Sequence, residues 1–249
     1  MSIQPRLLDG EDLRDAHATP AWVRDAYESY RHVILDPGFP CYFGTKAEER
    51  DRSRFTYVRG DERDHLPEVL RRFVAYSRAH PKHRSVFIVF FEPDGRRHTL
   101  ADDERRFWEL LDWLHERDPN PWPDDVPTDP SDPHWEYCFA SDPMFVFPCS
   151  PAYRLRLSRR MGPYYMVCFQ PRRVFYGVES NSPAGQRARR RIWAKVRAWD
   201  PVQPHPDLEN MAYGDPEMRE WKQYVLPDDN TPLLQRCPFH PRAARVEPC

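Results

Sequence analysis

A cysteine that follows a Pro-Gly turn and is surrounded by aromatic residues is the first candidate for chemistry. It lies in the segment Phe39-Pro-Cys-Tyr-Phe-Gly44, where Pro40 fixes the approach of the chain to Cys41 and Gly44 permits close approach of a flat group. A thiolate presented among aromatic rings can ligate a haem iron or act as a nucleophile. An inert, buried thiol is the alternative that these residues leave open.

A second proline-adjacent thiol occurs near the other end of the chain, in Cys237-Pro-Phe-His240. Together with His80-x-x-His83 it offers candidate metal ligands. Each pair supplies only two ligands, whereas a structural zinc site needs four, so zinc is not favoured. The six cysteines are widely spread along the chain, which indicates free thiols and not a disulfide framework.

Basic residues are concentrated in the run 187–197, which contains five arginines and Lys195. The run can be a solvated helix face, a docking face for an acidic redox partner, or a contact with an anionic cofactor. The whole chain has 37 basic and 39 acidic residues and a net charge of −2, which argues against a nucleic-acid-binding protein. No Gly-rich phosphate loop, Gly-x-Ser-x-Gly or His-Glu-x-x-His motif is present.

Periodic apolar residues predict the elements that would position these groups. Four amphipathic helices are expected: 20–33 with Thr19 as N-cap, one starting at Leu66 and ending before Pro81, one starting at Thr99 with a Thr-x-x-Asp cap, and 183–199. Short apolar runs predict strands at 55–58, 86–91, 135–140, 144–147 and 164–169. The run 86–91 is expected to be a central strand buried on both faces, and the next two strands a hairpin around Ser-Asp-Pro.

These elements predict a single-domain α+β protein spanning 1–249, with its core at about 20–240 and a central, mostly antiparallel sheet flanked by helices. The segment 118–133 holds six prolines, and a loop of this length is often a lid or a wall of a site. No apolar stretch is long enough for a membrane span, and the N-terminus lacks a secretory signal pattern. We therefore expect a cytoplasmic protein without membrane or nucleic-acid partners.

Several short segments, in a shared order from about residue 38 to 239, resemble the YqcI/YcgG family. The resemblance implies a haem-dependent N-oxygenase of a natural-product pathway, because characterised members hydroxylate guanidine or amine nitrogens. The matching segments are Phe39-Pro-Cys-Tyr-Phe-Gly44, Ser53-Arg-Phe55, Asp132-Pro-His-Trp-Glu-Tyr-Cys-Phe-Ala140, Met144-Phe-Val146, Arg159, Val167-Cys-Phe-Gln-Pro-Arg-Arg-Val-Phe175, Glu220-Trp-Lys-Gln-Tyr224 and Cys237-Pro-Phe239.

Carried over residue by residue, the resemblance implies a cofactor site for haem b (heme b). Cys41 matches the Pro-Cys element and is the first candidate for the axial thiolate, with Cys237 as its rival or a histidine as a further alternative. Arg54 matches the Arg-Phe element, and Lys222 stands where other members carry Arg. Either cation is expected to pair with the haem propionates or to hold an activated oxygen species. The rings expected to pack against the porphyrin belong to Phe39, Tyr42, Phe43 and Phe55.

One segment departs from the family pattern. The N-hydroxylase branch carries Phe-Asn-x-His-Glu-Gln-Phe where this chain reads Phe169-Gln-Pro-Arg-Arg-Val-Phe175, which places Arg172 at the histidine position. Arg172 is therefore a candidate catalytic residue, and the departure bears on N-hydroxylation more than on haem binding.

The resulting hypothesis is a haem-dependent monooxygenase that uses O₂ or peroxide to hydroxylate a small, cationic, amino-acid-like amine or guanidine. The substrate would need a carboxylate, and four candidates cannot be ranked from the sequence: Glu136, Glu220, Asp228 and Asp229. Three alternatives remain open. They are a haem-binding or sensor protein without turnover, a cofactor-free enzyme with Cys41 as nucleophile, and an interaction module that presents the basic run 187–197.

Overall fold

The computed structural model describes residues 6–177, 182–209 and 219–240. Its strands are β1 (Ser53–Val58), β2 (Val86–Phe91), β3 (Tyr137–Phe139), β4 (Asp142–Cys149) and β5 (Met166–Pro171). They form one sheet in the order β1-β2-β5-β4-β3, in which β1 and β2 are parallel and all other neighbours are antiparallel. The predicted α+β fold with a mostly antiparallel central sheet is confirmed.

Helices cover both faces of this sheet. They are α1 (Gly10–Arg14), α2 (Ala21–Ile34), α3 (Tyr42–Glu49), α4 (Leu66–Ala79), α5 (Leu100–Glu116), α6 (Pro183–Trp199) and α7 (Pro206–Glu209), with short 3₁₀ turns at Leu157–Arg159, Arg172–Phe175 and Glu220–Gln223. Helix α4 makes the crossover that the parallel β1–β2 pair requires. Within the described ranges, no helix combines the length and the apolar character needed to cross a membrane.

Helix N-termini follow the sequence signals in one case and not in another. The capping box at α5 is confirmed, since Thr99 accepts from the Asp102 N–H and the Asp102 carboxylate accepts from the Thr99 N–H. The prediction of Thr19 as N-cap of α2 is wrong. Pro20 occupies that position, and the Thr19 hydroxyl instead donates to the carbonyl oxygen of Asp12 at 2.9 Å.

The predicted β3–β4 hairpin is confirmed, but its turn lies one residue earlier than expected. Ala140 and Ser141 form the two-residue turn, with φ of 54° and 53°, which is the left-handed geometry of a type I′ turn. The Asp118 carboxylate accepts from the Ala140 N–H at 2.6 Å, and Arg78 donates to the carbonyl oxygens of both turn residues at 2.9 Å. These contacts hold the turn without glycine or asparagine.

The sheet separates two apolar cores. One contains α4 and α5, and the other contains α1, α2 and α3. Alternate residues of β2 enter each core, with Phe87 and Val89 on the α4–α5 side and Ile88 and Phe90 on the other, so the prediction of a strand buried on both faces is confirmed. The proline-rich segment 118–133 packs on the α4–α5 side, where its Trp122 joins the core.

Candidate functional site

A cavity of about 380 Å³ lies on the α1–α3 side of the sheet, against strands β4 and β5. A volume of this size is typical of a small-molecule site. Segment 39–43 forms one wall, α6 forms the opposite wall, and residues of β4 and β5 with the three 3₁₀ turns close the remaining sides. No residue of 118–133 lines the cavity, so the expectation that this loop forms its lid or wall is wrong.

Cys41 enters the cavity from the N-terminus of α3, a helix that the periodicity did not predict. It is the N-cap residue, and its Sγ accepts from the Gly44 N–H at 3.3 Å. A Cβ at position 44 would lie 3.0 Å from Cys41 Sγ and 3.0 Å from Ile34 Cδ1, so glycine is what allows this close packing. Burial raises the pKa of the Cys41 thiol, and the Gly44 N–H opposes that rise.

The aromatic residues beside Cys41 are partly in the wall and partly in solvent. Phe39 is buried and packs edge-on against Trp199 of α6, with 5.3 Å between ring centroids. Phe43 packs edge-on against Phe175 at 5.1 Å. Tyr42 also lines the cavity but is 54% exposed. Phe39, Tyr42 and Phe43 therefore line the same cavity as Cys41.

Helix α6 has the predicted bounds and turns its apolar face toward the cavity. Gly185 is its one buried residue, whereas Ile192, Trp193 and Val196 line the cavity and are only half-buried. The indole N–H of Trp193 is shielded from solvent and has no hydrogen-bond partner among the described residues. The helix thus presents a largely apolar surface to whatever occupies the cavity.

A buried ionic network forms one end of the cavity. Arg172 donates to Glu136 Oε2 from Nε at 2.6 Å and to Glu220 Oε2 from Nη2, and Glu220 Oε1 accepts from the Tyr224 hydroxyl at 3.0 Å. Arg172 and Glu220 line the cavity, while Glu136 stands behind them. Burial raises the pKa of Glu220 to about 7, against the opposing effect of the Arg172 charge.

Two further arginines line the cavity. Arg159 donates to the carbonyl oxygens of Gln223 at 2.7 Å and Tyr224 at 3.3 Å, and its Cζ lies 4.8 Å from the Phe147 ring centroid. Arg189 of α6 donates to the Leu208 carbonyl oxygen at 3.1 Å, and burial lowers its pKa. Positive charge therefore exceeds negative charge in the described lining, where Glu220 is the one acidic residue.

Two residues that the resemblance assigned to the cofactor or to catalysis lie away from the cavity. Arg54 donates to the Tyr76 hydroxyl at 2.9 Å, and its guanidinium stacks on that ring. Phe55 is buried in the core below α2, stacked on Phe90 with 5.9 Å between centroids. Neither residue lines the cavity, because β1 is the edge strand farthest from β4, although Phe55 belongs to the apolar core against which Cys41 packs.

The remaining two predicted residues are also separated from Cys41. Lys222 belongs to the turn that carries Glu220, but its ammonium lies 5.8 Å from the Trp221 ring centroid and outside the lining. Cys237 packs against the α4–α5 core, on the other face of the sheet, and burial raises the pKa of its thiol to about 12. No group of three or more His, Cys, Asp or Glu side chains in the described ranges is placed to hold a metal ion.

The structure ranks the four candidate carboxylates by position. Glu220 lines the cavity and Glu136 is bound to the same arginine. Asp228 instead accepts backbone N–H groups from residues 154–156, and Asp229 accepts from the Thr231 N–H. The last two carboxylates organise loops and do not face the cavity.

Several lining residues had no role in the sequence interpretation. Phe145, Phe147 and Gln170 alternate along β4 and β5, and Trp193 belongs to the basic run. Alternation indicates two faces of a strand but not which face borders a cavity, because that depends on the packing of the sheet. Trp193, in the apolar stripe of α6, was the one residue whose type and position in the sequence could have indicated that it lines a cavity.

Comparison with known proteins identifies the family. The sequence model of the YqcI/YcgG family matches residues 30–240. The chain belongs to this family. It is 37% identical over 229 residues to YqcI and 34% identical over 229 residues to YcgG, both of Bacillus subtilis (strain 168), with 88% of each chain covered in both comparisons. No solved structure matches the chain.

A third member of the family carries a functional name. The chain is 31% identical over 247 residues to the Streptomyces lavendulae protein named "Putative N(omega)-hydroxy-L-arginine synthase DcsA", with 94% of this chain and 88% of the relative covered. That name describes oxygenation of a nitrogen atom in an amino acid.

Proposed function

We propose that this protein is a haem-dependent monooxygenase that hydroxylates an amino or guanidino nitrogen of a small, amino-acid-like substrate. The observation that carries the proposal is that one cavity of about 380 Å³ contains both the Cys41 thiol and the Glu220 carboxylate. The name of the 31%-identical relative supports the reaction class. The apolar character of the walls supports a large, flat cofactor.

The residues of the cavity fit haem in donor type, apolar character and charge. Among the described lining residues, Cys41 is the one thiol, and none is a histidine, which favours Cys41 over Cys237 and over imidazole as the residue that would hold the iron. The half-buried apolar face of α6 would be covered by the porphyrin. Arg159 and Arg189 would pair with the propionates.

A thiolate-ligated haem, when bound, activates O₂ or peroxide for oxygen insertion. The chain supplies the conditions for that ligand. Burial raises the pKa of the Cys41 thiol, which opposes a free nucleophilic thiolate, whereas coordination to iron deprotonates a thiol outright. The Gly44 N–H then holds the sulfur in position at the start of α3.

Glu220 would act on the substrate nitrogen. Hydroxylation needs a nitrogen with a free lone pair, so a protonated amine must lose a proton before it reacts. Because burial raises the pKa of Glu220 to about 7, its carboxylate can accept that proton near neutral pH. Tyr224 and Arg172 fix the two carboxylate oxygens through hydrogen bonds.

The visible spectrum of protein expressed with a haem precursor tests the proposal. We expect a strong Soret band that moves to long wavelength when the reduced protein binds carbon monoxide. Cys41→Ala should lose this band, whereas Cys237→Ala, on the other face of the sheet, should keep it. A wild-type protein that stays colourless and takes up no added haem would refute the cofactor assignment.

Turnover is tested with the haem-loaded protein, O₂, a reductant and a panel of amino acids, amines and guanidines. Mass spectrometry should detect a product one oxygen heavier than its substrate. Glu220→Gln should lower kcat and keep the Soret band, because it removes a proton acceptor and leaves Cys41 unchanged. Haem binding without oxygenated product from any compound would leave a sensor or haem-binding role.

A further inference from the structure

The Glu136–Glu220 pair has the composition of a guanidinium-binding site. Two carboxylates approach one guanidinium from different sides, and an aromatic ring lies beside it, with the Arg172 Cζ 5.8 Å from the Phe175 ring centroid. Charge-assisted hydrogen bonds to paired carboxylates and a neighbouring π-face are the contacts by which proteins recognise guanidinium groups. Here the bound guanidinium belongs to the chain itself.

Glu220 has a second partner besides Arg172. The Glu136 and Glu220 side chains are only 4% and 3% exposed, and the Tyr224 hydroxyl donates to Glu220 Oε1, the oxygen that Arg172 does not contact. Tyr224 is itself held, because its hydroxyl also receives the Tyr137 N–H at 3.2 Å. Glu220 therefore keeps a hydrogen bond when the cation between the two carboxylates changes, and burial limits the movement of both side chains.

Arg172 reaches the pair from the cavity side. It follows Pro171, the last residue of β5, and its side chain is 20% exposed and lines the cavity. The next residue, Arg173, turns away from the cavity and pairs with Asp142 and Ser77. The two consecutive arginines are therefore both mostly buried and ion-paired, but only Arg172 lines the cavity, beside Glu220 and in front of Glu136.

We propose that Glu136 and Glu220 form a guanidinium-binding clamp that Arg172 occupies, which makes Arg172 a specificity-determining residue that excludes guanidino groups of substrates. On the proposed oxygenase function, the substrate then presents an amino nitrogen to the cavity and not a guanidino nitrogen. The clamp itself is a property of the polypeptide and does not depend on haem.

Chemical rescue of Arg172→Ala tests the clamp. Loss of one partner from a buried ion pair should lower the melting temperature by roughly 6–20 °C. Methylguanidinium at 10 mM should restore about 3–6 °C if its dissociation constant is about 1 mM, and it is too dilute to act as a denaturant. Methylammonium, which lacks the planar fork, should restore much less. The wild-type melting temperature should not respond to either cation.

Two further variants distinguish binding of methylguanidinium in the clamp from a nonspecific effect of the cation on stability. Arg173→Ala opens no space toward the cavity, and Arg172→Ala combined with Glu220→Gln lacks one carboxylate, so neither should be rescued by methylguanidinium. Equal rescue of these variants, or no rescue of Arg172→Ala, overturns the clamp. If Arg172→Ala is unfolded alone, circular dichroism must show refolding in 10 mM methylguanidinium, and its absence overturns the clamp equally.

The exclusion of guanidino substrates by Arg172 is tested separately, by the products that the haem-loaded protein forms. Conversion of L-arginine to hydroxyarginine by the wild-type haem-loaded protein would overturn it, even if the rescue succeeds. A wild-type protein that oxygenates an amine but not L-arginine or methylguanidine supports it. Because the melting experiments need no haem, their failure and a failure of the oxygenase proposal are distinguishable.

Discussion

The titration of Glu220 leads to a prediction about how stability depends on pH. Burial raises its pKa from 4.5 to about 7 in the folded protein. Between these values the unfolded chain is ionised at this residue and the folded protein holds a proton. The group therefore stabilises the fold below pH 4.5, and this contribution is lost as the pH rises through 7. Glu220→Gln removes the titration and preserves the side-chain shape.

The magnitude follows from the difference between the two pKa values. Each pKa unit corresponds to about 1.4 kcal/mol, so the full window from 4.5 to about 7 corresponds to roughly 3 kcal/mol in the free energy of unfolding. Between pH 7.5 and pH 5, Glu220 should account for roughly 2 kcal/mol of stabilisation on acidification. Other buried carboxyls also titrate, so the quantity to compare between wild type and variant is the change in the free energy of unfolding between the two pH values.

Urea denaturation at pH 5, 6, 7 and 7.5 measures that difference. The stability gained by wild type on going from pH 7.5 to pH 5 should exceed the gain of Glu220→Gln by roughly 2 kcal/mol. Glu116→Gln serves as the control, because this side chain is 64% exposed. A Glu220→Gln protein that keeps the wild-type pH dependence would show that Glu220 is ionised throughout, and the assignment of a proton acceptor would fail with it.

Four further variants test the framework of the fold by urea denaturation. Gly162→Ala should cost about 2–5 kcal/mol, because φ is +106° and the new Cβ would lie 2.7 Å from Ser29 Cβ, whereas Gly95→Ala, at φ +77° in open space, should cost only about 1–2 kcal/mol. Equal costs would contradict the packing argument. Tyr224→Phe should cost about 1–3 kcal/mol by leaving a buried N–H without its acceptor. Asp228→Ala should cost about 1.5–3 kcal/mol by releasing three backbone N–H groups, and a neutral result would show that water replaces them.

The sequence alone predicted secondary structure correctly where the signal depends only on neighbouring residues. The bounds of β2 and α6 and the capping box of α5 followed from apolar periodicity and from the preferences of helix ends. Proline led to wrong predicted boundaries of two elements. It occupies the N-cap of α2, where threonine was expected, and it lies within β4, which the sequence interpretation shortened.

The sequence also identified Cys41 and its aromatic neighbours, since all lie within one short segment. The helix that starts there was missed, because α3 has only eight residues and carries Gly44 in its first turn. Arg54 and Phe55 matched a family segment equally well, yet they lie on the far edge strand. A matching segment fixes residue types, but only the order of strands decides which segments meet.

Tertiary structure alone decided the polar end of the cavity. Glu136, Arg172 and Glu220 come from three distant parts of the chain, and nothing in their local sequence indicates that one guanidinium bridges two carboxylates. The same holds for the choice among four acidic candidates, and for the separation of Cys237 from Cys41 by the sheet. Composition and periodicity determine which side chains are available and which faces are buried. The packing of strands and helices determines which of those side chains share one low-dielectric space, where their charges and pKa values depend on one another.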